Sequence, residues 1–312
     1  MWTYALRRFL IMLLIVVGVS FLIFMIISLT PGSPGRNILG ANASQEQVEA
    51  MDHRLGYDRP VLERYFLYMN NLLHGDLGTS YKTNHPVKDE LFPRFKPTMI
   101  LASFAILFAC AIGVSTGIIS AVKQYSPIDN FMTITALVLS AIPGFWLGMT
   151  LIMIFAVQLN VLPTGGIKTW DCYVMPVFAL AVCHAADIMR MTRSAMLETV
   201  RMDYIRTARA KGASEKRVIV VHALKNALLP IITTAGRKFT VMLGGTIIIE
   251  VLFTMPGVGN YLMSAIFQRD VPVIVSTSLA LAVISCVIVL VVDLLYATID
   301  PRIKSLYIKG RK

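Results

Sequence analysis

Four stretches of this chain, residues 9–29, 98–122, 131–159 and 271–292, each run for more than twenty residues without an Asp, Glu, Lys or Arg. A hydrocarbon layer about 30 Å thick is crossed by roughly 20 helical residues, so each run is long enough to span a bilayer. Inside hydrocarbon every backbone N–H and C=O needs an internal partner, and a helix supplies one within a single segment. Two less clean runs follow the same rule: residues 172–191, which include Asp187 and Arg190, and residues 226–251, which include Arg237, Lys238 and Glu250. The expectation is an all-α polytopic membrane protein with six transmembrane helices. A composition of 56% hydrophobic and 15% charged residues agrees with it.

Arg7 and Arg8 precede the first run as they would in a signal peptide. Its 21 apolar residues exceed the usual apolar segment of one, and the LTPGSPG that follows lacks a small-x-small cleavage site, so it reads as a span. Six spans put both termini on one side, and the positive-inside rule selects that side from short loops. Nine Lys or Arg fall between Asp187 and Lys225, and the tail adds Arg302, Lys304, Lys309, Arg311 and Lys312. Residues 160–171 and 254–270 carry one basic residue each. Both termini and the basic loop are therefore expected in the cytoplasm. The net charge of +11 is a topology signal with some attraction to anionic lipid, and calls for no nucleic acid.

These boundaries divide the chain into a stub and first span (1–30), an extracytoplasmic loop (31–97), a core of five spans (98–299) and a basic tail (300–312). The outer loop has eight basic and eight acidic residues, Pro60, Pro86 and Pro93, and the turn-forming Gly75–Ser80 stretch GDLGTS, which reads as folded. Cys110, Cys172, Cys183 and Cys286 have no metal-ligand spacing and read as small packing residues, as do the 17 methionines. The five histidines are scattered, and no metal site is expected.

The densest charge lies in residues 203–230, DYIRTARAKGASEKRVIVVHALKNALLP. Asp203 suits an N-cap, Tyr204 through Lys211 lacks Gly and Pro, and Gly212 stands where a left-handed residue closes a helix. Ser214 suits a second N-cap, for a helix running toward Pro230. A two-turn helix is unstable alone in water, so it must dock. Its own chain is one dock. Arg206, Arg209 and Lys211 beside the small Ala208, Ala210 and Gly212 suit a groove on a soluble partner better.

This stretch resembles the EAA loop of ABC-importer permeases, in the form typical of the dipeptide, oligopeptide and nickel group. Ala208, Gly212 and Leu224 keep the letters of the general motif, while Arg206 replaces its acidic residue. Pro31-Gly32-Ser33-Pro34, the Gly75–Ser80 stretch, Phe253 with Pro256-Gly257-Val258-Gly259, Arg269-Asp270 and Asp300-Pro301-Arg302 resemble further signatures of that group in the same order. The resemblance implies type I ABC-importer permease architecture in a bacterial or archaeal plasma membrane and transport of di- or oligopeptides, with nickel or a metal chelate as the alternative. It implies a second homologous permease forming a heterodimer, two cytosolic ATPase subunits that hold ATP and Mg, and an extracytoplasmic substrate-binding protein. This chain would then bind no cofactor and carry no catalytic residue, in keeping with its lack of a GxxxxGK[ST] loop. Residues 192–226 would form the coupling loop, with Tyr204, Arg206, Thr207, Ala208, Lys211 and Gly212 at the ATPase.

Charged groups in a span are costly and usually face a cavity, which makes Asp187, Arg190, Arg237, Lys238 and Glu250 the pathway candidates. Asp187 and Arg190 also have the spacing of a helical ion pair. Arg237 and Lys238 could meet a peptide carboxylate, pair with Glu250, or reach toward the interface. A secondary transporter or channel would place such charges near midplane without needing the loop helix. A membrane enzyme would need a nucleophile and base, which neither Gly144–Gly148 nor the lone His184 supplies.

Overall fold

The computed structural model describes residues 2–29, 32–40 and 42–299. The basic tail, Asp300-Pro301-Arg302 and Pro31 lie outside the described residues, as does the side chain of Arg7. The chain forms α1 (Trp2–Leu29), α2 (Pro34–Leu39), α3 (Gln45–Arg54), α4 (Val61–Leu73), α5 (Val87–Val122), α6 (Pro127–Ala141) and α7 (Gly144–Leu151). There follow α8 (Val174–Val200), α9 (Asp203–Ala210), α10 (Glu215–Arg217), α11 (Leu224–Leu252), α12 (Val258–Gln268) and α13 (Val271–Ile299). Wider π-helical turns extend α7 through Ile152–Gln158 and join α10 to α11 through Val218–Ala223.

Five helical segments are long and apolar enough to cross a membrane: Arg8–Leu29, Val87–Val122, Trp170–Val200, Glu215–Leu252 and Val271–Val292. The sixth expected span, residues 131–159, is not one straight rod, because Pro127–Ala141 and Gly144–Gln158 meet at 93°. Proline disfavours helical backbone in the residue before it, and Ile142 is extended (ψ 124°) ahead of Pro143. The Ile142 carbonyl, left without a helical partner, accepts from the Cys183 thiol at 3.3 Å. Two other boundaries also move. α5 begins at Val87 rather than Thr98 and takes Pro93 and Pro97 into its first turns. The helix expected to run toward Pro230 continues through it into α11, because the wider turn at Val218–Ala223 fuses the two segments.

Two compact units make up the chain. One holds Met99–Met255 with the described part of Ile288–Lys312. Its axis is α8, the most buried of the spans. Leu101, Ala105 and Ala109 of α5 pack with Ala179, Leu180 and Ile188 of α8 and with Met242 and Ile249 of α11. Gly113 and Gly117, four residues apart, bring α5 against α8 so closely that a Cβ on Gly117 would lie 2.6 Å from Thr192 Cβ and 2.7 Å from the Met189 carbonyl. Small residues at this spacing supply the van der Waals contact that holds helices together where no hydrophobic effect acts between them.

The other unit holds Leu6–Thr98 and Pro256–Val287. Phe24 of α1, Tyr65 of α4 and Val275 of α13 form one apolar cluster, and Val87, Leu91, Val258, Ala265 and Val273 another. Ser33 caps α2 through its hydroxyl, and Ser44 and Gln47 form a reciprocal capping box on α3. In this unit the Ser80 hydroxyl donates to the buried Asp270 carboxylate at 2.5 Å, and the Tyr81 N–H donates to its other oxygen at 3.1 Å. Two signatures 190 residues apart therefore meet, and they hold the start of α13 against the turn that ends the GDLGTS stretch.

Gly117→Ala is expected to lower stability by about 1–3 kcal/mol, because backbone and a β-branched side chain already fill the space. A Cβ on Gly244 would meet nothing within 4 Å. Gly244→Ala is therefore expected to unfold at or slightly above the parent temperature, and thermal unfolding in detergent compares the two.

Candidate functional site

Helix α9 starts where Met202, in extended backbone (φ −72°, ψ 149°), hands over to Asp203. Asp203 is thus the first helical residue and not the N-cap expected from the sequence. Its fully exposed carboxylate sits 3.8 Å from Arg206 and complements the positive end of the helix dipole. At the other end Lys211 is the capping residue and Gly212 takes φ +81°. The Gly212 N–H donates to the Arg209 carbonyl at 2.9 Å and the Ala213 N–H to the Ala208 carbonyl at 3.2 Å, the two bonds of a Schellman closure. A Cβ at Gly212 would touch nothing within 4 Å, so backbone handedness and not space requires glycine there.

One row of α9 docks on its own chain. Ile205 is fully buried among Ala121, Met196, Val218, Ala223 and Ala227, and Ala208 packs partly against the same cluster. Ala208, one of the partner-facing candidates from the sequence, is half-buried here against the seat of the short helix. Arg209 is also committed internally: it grips Glu215 through two hydrogen bonds of 2.7 and 3.2 Å, which raise the guanidinium above its ordinary pKa. Tyr204, Arg206, Thr207, Ala210 and Lys211 remain exposed around the other faces. The loop is a rigid, anchored helix that offers a basic and hydroxyl-bearing surface.

The intramembrane charges separate into three groups. Asp187 accepts hydrogen bonds from both Arg190, one turn along α8, and Lys238 of α11, tying the two helices together. Lys238 therefore pairs with Asp187, not with Glu250. Arg237 is exposed and has no ion-pair partner among the described residues. Glu250 is buried at 1% exposure, and its carbonyl accepts from the Met255 N–H at 2.8 Å. Among the described residues no group of three or more His, Cys, Asp or Glu is placed to hold a metal ion.

A further buried charge in this unit escaped the sequence reading. Asp129, 2% exposed, receives a two-point grip from Arg193, with both nitrogens at 2.7 Å. The Ser120 hydroxyl and, at 2.9 Å, the Tyr125 N–H also donate to it. Asp129 thereby locks α6, α8 and the end of α5 together just ahead of α9. Its sequence signal was a Ser-Pro-x-Asp start to a helix, which reads as an ordinary cap. Its true partner is 64 residues away.

A helical membrane domain with several spans, and a capped basic helix held outside them, defines a multi-pass transport permease. Two family models agree: "Binding-protein-dependent transport system inner membrane component" matches residues 113–305, and its N-terminal counterpart matches residues 1–102. The chain belongs to this family of ABC-importer permeases, which are transport proteins and not enzymes. It is 43% identical to the dipeptide transport system permease protein DppB of Alkalihalophilus pseudofirmus, over 97% of this chain and 100% of that one. It is 38% identical to the oligopeptide transport system permease protein AppB of Bacillus subtilis and to the glutathione transport system permease protein GsiC of Escherichia coli K12, again over 97% of this chain. In fold it matches a chain from the MetNI methionine ABC transporter in inward facing conformations, with TM-score 0.55 at 18% identity, over 65% of this chain and 93% of that one.

Removing one partner of a buried ion pair strands the other, at a cost of about 3–5 kcal/mol. Asp129→Ala is expected to lose stability on that scale in thermal unfolding. Adding Arg193→Leu is expected to recover part of the loss, since it removes the stranded cation.

Proposed function

We propose that this chain forms half of the translocation pathway of an ATP-driven importer for di- or oligopeptides in a bacterial or archaeal plasma membrane. A second homologous permease completes the pathway as a heterodimer. An external binding protein delivers the peptide, and two cytosolic ATPase subunits hold the ATP and Mg. Both termini and the loop carrying α9 lie in the cytoplasm. The names of the relatives support the peptide substrate, and the excess of Lys and Arg in residues 187–225 supports the sidedness.

The observation that carries the coupling role is the construction of α9. A helix of eight residues is closed by a Schellman motif and anchored through Ile205, with its other faces open. Nucleation makes so short a helix costly on its own, so the fixed anchor supplies a rigid lever. Tyr204, Arg206, Thr207 and Lys211 seat in the ATPase, while Ala208 and Gly212 keep the lever's shape. When ATP draws the ATPases together, the lever moves with its seat. Ile205 and the Arg209–Glu215 grip pass that motion to α8 and α11, and the pathway changes its opening.

In the pathway, Asp187 bridges Arg190 and Lys238, leaving one net positive charge, and sets the spacing of α8 and α11. Glu250 is a packed part of the core. Arg237 is the uncommitted cation that meets the carboxylate of a passing peptide.

Forcing a branched side chain to positive φ costs about 1–2 kcal/mol, enough for roughly a tenfold effect on a coupled step. Gly212→Leu is expected to keep ATP hydrolysis in reconstituted vesicles while peptide uptake falls about tenfold. Gly212→Asn, which tolerates the left-handed region, is expected to stay near the parent. Normal uptake per ATP in Gly212→Leu would sink the lever mechanism.

A further inference from the structure

The unit formed by Leu6–Thr98 and Pro256–Val287 contains a cavity of about 380 Å³ that the transport reading does not use. Three arginines, Arg54, Arg59 and Arg64, line it, and none of the described residues lining it is acidic. Arg59 shares its charge with Glu63 at 3.2 Å. Arg54 and Arg64 have no ion-pair partner among the described residues. The Arg64 guanidinium lies 4.2 Å above the Tyr57 ring, so stacking holds it in one orientation. Its Nε is buried and makes no hydrogen bond. The fold closes off that Nε, so an acceptor entering the cavity meets the remaining, half-buried part of the guanidinium that lines it.

The floor of the cavity is apolar: Phe24 of α1 and Val271 and Val275 of α13. The crossing part of α1 ends at Leu29 and that of α13 begins at Val271. Phe24 is therefore more than one helical turn inside the hydrocarbon edge, and Val275 about one turn inside it. Tyr81, whose N–H meets Asp270 just before α13, lines the cavity together with Tyr57, at the depth where aromatic rings favour the interface, while Tyr68 lies at the floor with its hydroxyl 3.0 Å from Ser276 Oγ. A soluble anion satisfies the arginines but leaves the apolar floor facing water. An amphiphile with a phosphate head satisfies both, because a fork of guanidinium N–H groups matches phosphate oxygens.

We propose that this cavity binds the phosphate of an anionic phospholipid, with Arg54 and Arg64 on the headgroup and the start of an acyl chain along Phe24, Val271 and Val275. A bound lipid joins α3, α4, α1 and α13 at the membrane surface. The site is independent of ATPase coupling and of the peptide substrate.

The test is native mass spectrometry of the full-length permease in its purified complex, delipidated and then offered phosphatidylglycerol or phosphatidylcholine. The expected result is one phosphatidylglycerol retained per copy of this chain and no comparable retention of phosphatidylcholine. Losing one charge-assisted contact is expected to reduce that retention about tenfold in Arg64→Gln and in Arg54→Gln. Arg54 is exposed at the rim, so its variant reports on the ligand even where Arg64→Gln disturbs folding through Tyr57. Equal retention of the two lipids, or unchanged phosphatidylglycerol retention in Arg54→Gln, overturns the proposal. Displacement of the lipid by inorganic phosphate reassigns the cavity to a soluble anion and overturns it as well. So does weakened docking of a soluble acidic partner to Arg54→Gln while lipid retention stays unchanged.

Discussion

The close approach of α5 to α8 at Gly113 and Gly117 is the contact on which the Met99–Met255 unit depends. Within a bilayer no water is released when two apolar helices meet, so their attraction comes from packing at short range. Two glycines one turn apart let backbone meet backbone, and α8 becomes the axis around which the other helices are placed. Asp187, Arg193 and Met196 all project from that axis. Through them α8 fixes α11, α6 and α9 in turn.

Polar groups in this unit act chiefly as couplers. Asp187 ties α8 to α11, Asp129 ties α6 to α8, and Arg209 ties α9 to the start of the long helical segment that contains α11. The Asp187 and Asp129 carboxylates are each matched to a cation on another element, which offsets the cost of burying charge in a medium of low dielectric, whereas the Arg209–Glu215 pair is exposed. Such pairs resist shear while leaving helices able to tilt as bodies. A motor that moves α9 therefore acts on a connected set of elements rather than on one loose loop.

Elsewhere the fold solves local problems by local means. At Pro143 the helix breaks, and the Cys183 thiol answers the freed Ile142 carbonyl. At Arg269 a left-handed cap ends α12 just before Asp270 receives Ser80. The cysteine had read only as packing, and the two outer signatures had read as separate stretches of the chain. Neither role is visible from spacing, because each depends on which atom of a distant segment lies within 3 Å or so.

Charge-free runs longer than a bilayer, the excess of basic residues in one loop, and a Gly just past a short basic helix were legible in the sequence alone. They depend on period, length and backbone handedness, which are properties of neighbours along the chain. The tertiary structure decided that the run through Ile142 bends by 93°, that Ile205 and not Ala208 is the main anchor of α9, that Lys238 belongs to Asp187, and that Asp129 belongs to Arg193. Those outcomes turn on side chains 51 and 64 residues apart reaching hydrogen-bonding distance. Only the packing of helices onto α8 sets such distances, and a one-dimensional pattern does not contain it.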